Sequence, residues 1–152
     1  MSFSEVSKLR KAGRLTEAYQ LAQTDLEAMP DDVLAKRAMA WVLYDFAKKN
    51  ATIATRDKFL HCLKQLNNFE LDATETMLWT QEAWLVSGMV ATCVHGKCND
   101  TIFYDALFTQ IEPLKFVRPD ASYSALLRTF LRIKLLWSRF GDFCRWWNFD
   151  FL

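Results

Sequence analysis

At 152 residues, with 51% apolar and 14% aromatic content, the chain can bury a substantial core, which excludes a disordered tail or linker. Nineteen basic against eighteen acidic residues leave a formal net charge of +1, so overall charge directs it neither to nucleic acid nor to an anionic membrane. Only four Gly and three Pro interrupt segments rich in Ala, Leu, Lys, Glu and Gln, and an all-α domain over residues 1–152 is expected.

The start, Met1-Ser2-Phe3-Ser4-Glu5, lacks the basic-then-apolar order of a secretory signal, and no apolar run approaches the ~18 residues that span a bilayer. A cytoplasmic protein with no membrane partner is the expectation. Cys62, Cys93, Cys98 and Cys144 then read as reduced thiols in a chain large enough to need no staples.

Helical segments are predicted at 3–12, 15–28, 32–49, 54–68, 74–95, 100–112, 121–140 and 142–150, eight helices in four hairpins. Their breaks fall at Gly13, Pro30, Asn50, Asn67-Asn68, Gly96, Pro119 and Gly141. Gly13 suits the position just past a helix, where positive φ is needed. Leu15, Ala18, Leu21, Ala22 and Leu26 recur at three- and four-residue steps and make one apolar stripe, with Ala18 small enough for a close helix crossing. Pro30 stops the second helix, and Asp31 or Asp32 can cap the third.

The run Gly13-Arg14-Leu15-Thr16-Glu17-Ala18, Leu21-Ala22, Asp25-Leu26 and Met29-Pro30-Asp31-Asp32 resembles the second helix of a tetratricopeptide (TPR) repeat. Later units carry the pattern less fully. Tyr104-Asp105-Ala106-Leu107 parallels Thr16-Glu17-Ala18-Tyr19, and Phe130, Ile133 and Trp137 precede Gly141-Asp142-Phe143. Gly13, Gly96 and Gly141 lie 83 and 45 residues apart, a period nearer 40–45 than 34. The resemblance implies a right-handed solenoid of about four hairpins, degenerate after the first repeat.

It also implies a ligand groove lined by the first helix of each hairpin. Carried over by register, the groove residues are Arg10 and Lys11 in the first unit, Arg37, Trp41, Tyr44 and Asp45 in the second, and Arg128 and Arg139 in the last. Such a groove would be partly basic with aromatic patches, suited to a protein or peptide partner. The Lys/Asn pair of chaperone-tail clamps is absent from the first unit. A second likeness is to the helical N-terminal region of bacterial conflict-system proteins that carry a cold-shock-like domain. It rests on Phe3-Ser4-Glu5-Val6, Leu9-Arg10-Lys11-Ala12-Gly13, Ala38 to Asp45 and Arg145-Trp146-Trp147, and it implies that the chain is a fragment of a longer protein.

Catalysis has little to stand on. Two histidines, no G-x-S-x-G elbow, no H-E-x-x-H and no Gly-rich phosphate loop leave the chain a non-enzyme without cofactor. Cys93, His95 and Cys98, with His61-Cys62 elsewhere, form one loose half of a zinc set. Core packing beside Trp84, Gly88 and Ala91 is the simpler account of Cys93, so no metal is expected. Glu17, Glu27, Glu75 and Glu82 read as solvated helix-face carboxylates.

The alternative to a peptide scaffold is a nucleic-acid-associated helical module. Between residues 115 and 145 seven Lys/Arg face Asp120 and Asp142, interleaved with Phe116, Tyr123, Trp137 and neighbouring aromatics. Finally, Trp146, Trp147, Phe149 and Phe151 give the C-terminus an apolar end where solenoids carry a polar cap, an expected seat for a second copy or a downstream domain.

Overall fold

The computed structural model describes residues 2–69, 71, 75–111 and 113–114. The described residues are helical, with no strand among them: α1 Ser2–Lys11, α2 Leu15–Ala28, α3 Val33–Lys49, α4 Arg56–Asn67, α5 Thr76–His95 and α6 Thr101–Ile111. The described residues are therefore all-α, as expected. The helices expected over 121–140 and 142–150, with Arg128, Arg139, the basic 115–145 segment and Cys144, lie outside the described residues. The chain divides into two compact units, residues 1–78 and 79–152.

In the first unit, Gly13 ends α1 with φ of 77°, and the backbone closes a paired turn: Gly13 N donates to Arg10 O and Arg14 N to Leu9 O. Nothing lies within 4 Å of where a Cβ on Gly13 would sit, so backbone conformation alone selects glycine there. α2 runs to the residue before Met29-Pro30. Of the two acidic candidates Asp32 is the cap, accepting from Ala35 N at 3.2 Å.

Packing follows the small residues. Ala18 and Ala22 are fully buried on one face of α2, which lets that helix approach α1 and α3 closely. Val6 of α1 and Ala38, Ala40, Val42 and Ala47 of α3 are buried as well, the α3 residues on two opposite sides of that helix. α4 packs on α3 through Phe59, Leu63 and Leu66, all with no solvent exposure. α1 also lies beside α3, so each of α1, α2 and α4 has α3 as a neighbour.

In the second unit, Trp79, Ala83, Val86, Met89, Val90 and Cys93 of α5 are buried, as are Phe103, Tyr104, Leu107 and Ile111 of α6. Asp100 caps α6 by accepting from Phe103 N at 3.0 Å. Three details depart from the sequence expectation. α5 ends at His95, before Gly96 as expected, but the left-handed residue of the turn is Lys97, φ 53°, with Cys98 N donating to Cys93 O and Lys97 N to Val94 O. Trp84 is 61% exposed, with Gly88 and Ala91 exposed on the same helix, so Cys93 is buried without them as packing partners. Glu82 is not a solvated carboxylate, being 2% exposed and engaged in the interior.

Candidate functional site

Four of the groove residues meet on neighbouring helices. Arg10 sits on the last turn of α1, and Trp41, Tyr44 and Asp45 follow one another at three- and one-residue steps on α3, which puts all three on one side of that helix. Arg10 Nε donates to Asp45 Oδ2 at 2.5 Å, and the two side chains are each 20% exposed. The Arg10 guanidinium carbon lies 5.0 Å from the Trp41 ring centroid, within cation–π range. Trp41 meets Tyr44 edge-on, 5.6 Å between centroids. The result is a cation fixed on an aromatic face and held from its other side by a carboxylate.

Tyr44 is largely buried. Burial pushes its phenol above the ordinary value, the Asp45 carboxylate adds to that, and Arg10 pulls the other way. It is therefore a neutral hydroxyl at physiological pH, able to donate or accept a hydrogen bond. Because Asp45 balances Arg10, this part of the face is an aromatic platform with a matched charge pair rather than a basic strip. Lys11 is exposed beside it in sequence. Arg37, two turns earlier on α3, is bound to Glu75, with Nε donating to Oε1 at 2.6 Å. Sequence reading missed that pairing because its partner lies 38 residues away, before α5, with no local pattern to mark it.

Cys93 and Cys98 close the same turn, but no group of three His, Cys, Asp or Glu side chains among the described residues could hold an ion. Cys93 is buried, Cys98 is half-buried in the turn after α5, and neither they nor Cys62 form a disulfide. Burial raises the Cys62 thiol above its ordinary value, the opposite of what a reactive thiolate needs. The Tyr104 phenol is likewise raised, chiefly by burial and then by Cys93 and Cys98, while its hydroxyl donates to Cys98 O at 3.0 Å.

A feature with no sequence signal is a cleft of about 400 Å³ in the first unit, lined by α2, α3, α4 and the residues after α4. It is assembled from short stripes on separate helices, each unremarkable alone. No helix among the described residues is long and apolar enough to cross a membrane. Searches against protein-family models, curated proteins and solved structures find no match to this chain.

Proposed function

We propose that the chain is a non-catalytic scaffold that binds a protein or peptide, built as a right-handed stack of helical hairpins of the tetratricopeptide kind. The observation that carries this reading is the meeting of Arg10, Trp41, Tyr44 and Asp45 on adjacent first helices. In such repeats the first helices line the ligand face, and here α1 and α3 lie side by side while α2 packs on both. The buried Ala18 and the positive φ of Gly13 fit the turn and crossing of that repeat. A peptide would lay an apolar or aromatic side chain on Trp41 and take hydrogen bonds from the Arg10 N–H groups left over by Asp45 and from the Tyr44 hydroxyl.

Selection of a phage-displayed random dodecapeptide library on the full chain tests this. Selected clones should lose at least about tenfold in binding on Trp41→Ala, the loss expected when an aromatic anchor is truncated. Clones indifferent to both Trp41→Ala and Asp45→Lys, or no enrichment, refute the reading. Labelled single-stranded RNA serves as the counter-probe. Binding that is sub-micromolar and falls steeply with salt would place the chain with nucleic-acid-associated modules instead.

A further inference from the structure

The cleft lies on the side of α3 away from Trp41, Tyr44 and Asp45, and three helices build it. α3 supplies the floor with Met39 and Leu43, one turn apart and 4% and 3% exposed. α2 supplies one wall with Tyr19, Gln23, Leu26 and Glu27, a stripe at helical spacing, and Tyr19 is steadied edge-on against Phe46 at 6.1 Å. Gln65, Asn68 and Phe69 at the end of α4 form the facing wall. Ala18 and Ala22 pull α2 towards α1 and α3, whereas α4 is held on α3 by Phe59, Leu63 and Leu66, and the space between the two walls remains.

The chemistry of the lining is uneven in an informative way. Five apolar side chains make floor and walls, and three amides and one carboxylate stand at the rim. That is the pattern of a ligand pocket, and about 400 Å³ is at the small end of the range, room for one or two large side chains rather than a cofactor. The charge at one end is specific. α1, α3 and α4 finish with Lys or Arg in the last turn, as the helix dipole favours. α2 has no base in its last turn, and Glu27, which lines the cleft, adds its carboxylate to the negative end of that helix. Glu27 is exposed and accepts a hydrogen bond from a neutral amide, Gln23 Nε2, at 3.1 Å.

We infer that this cleft is a second binding site, which takes a large aliphatic or aromatic side chain of a partner peptide bearing a Lys or Arg within four residues of it. The apolar group sits on Met39 and Leu43 between Tyr19, Leu26 and Phe69, the cation faces Glu27 and the α2 C-terminus, and the amides of Gln23, Gln65 and Asn68 meet the peptide backbone. The site stands independently of the Arg10–Trp41 face.

The test uses the full chain carrying Trp41→Ala, so that the other face is impaired, as bait for the same random dodecapeptide library. Enriched peptides should pair Leu, Phe or Met with a nearby Lys or Arg. Gln65→Trp, which fills the cleft, should weaken them at least tenfold. Glu27→Lys, at an exposed position that does not disturb the core, should weaken them about fivefold and restore peptides in which the cation is replaced by Glu. Absence of enrichment, enrichment of acidic peptides, or clones unaffected by both Gln65→Trp and Glu27→Lys in chains whose melting is unchanged would overturn the inference.

Discussion

Removing the charge pair under the aromatic platform gives the most direct energetic test of the α1–α3 face. Arg10 and Asp45 are 2.5 Å apart and each one-fifth exposed, between the solvated pairs that contribute about 0.2–1 kcal/mol and charge-assisted bonds worth about 1.5–3 kcal/mol. A coupling of about 1–1.5 kcal/mol follows for this geometry. Arg10→Ala also removes the cation from Trp41 and its stem from the packed surface, adding about 0.5–1 kcal/mol that Asp45→Ala leaves in place. Arg10→Ala is therefore expected to cost about 2 kcal/mol, Asp45→Ala about 1–1.5 kcal/mol, and the double variant less than their sum. Urea unfolding of the four chains of this double-mutant cycle, followed by far-UV circular dichroism, reads the coupling directly. A coupling under about 0.3 kcal/mol would mean that the contact is incidental, and the argument that α1 and α3 jointly build a preset face would fall.

The two left-handed turns predict opposite responses to one chemical change. Gly13→Ala should destabilise by about 1 kcal/mol although its Cβ meets nothing, while Lys97→Gly should stabilise by about 0.5–1 kcal/mol by relieving a Cβ clash with the following carbonyl; thermal melts with both signs the same would refute this. Tyr44 and Tyr104 are raised above the ordinary 10.0, so the folded state keeps protons that the unfolded chain gives up. Their contribution is complete below that value and is lost as pH rises above it, and Tyr104→Phe should flatten the alkaline fall in stability measured by urea titration between about pH 9 and 11. An unchanged slope would show that the phenol is not desolvated.

What the sequence disclosed about this molecule, and what it hid, divides along the range of the interactions involved. Helix α2 was readable to the residue because its limits are set by neighbours: Gly13 by its conformational freedom, Pro30 by its ring. The break at Gly96 was equally local, and α5 ends at His95, but nothing in the sequence marks Lys97 as the residue that takes the left-handed conformation. The status of Trp84 and Glu82 on α5 could not be read from periodicity, because that helix is apolar on most of its circumference and the 3.6-residue pattern no longer distinguishes inside from outside. Arg10, Trp41, Tyr44 and Asp45 were named by repeat register, yet their mutual geometry needed α1 against α3. The Arg37–Glu75 pair and the α2–α3–α4 cleft need partners dozens of residues away, which no local spacing encodes.

The neighbour-by-neighbour packing of α1 to α4 also bears on how the chain acquires its structure. From α1 to α4 each helix touches the next in sequence, and α1 also touches α3. Loops that close such contacts are short, so the entropic barrier is low and search times of microseconds to milliseconds are typical of this topology. Synthesis delivers only about 5–20 residues each second. By the time α3 leaves the ribosome, α1 and α2 have had ample time to dock through Ala18 and Ala22, and α3 then arrives on a surface already formed. On these general rates, translation rather than folding is expected to pace the docking of α1, α2 and α3.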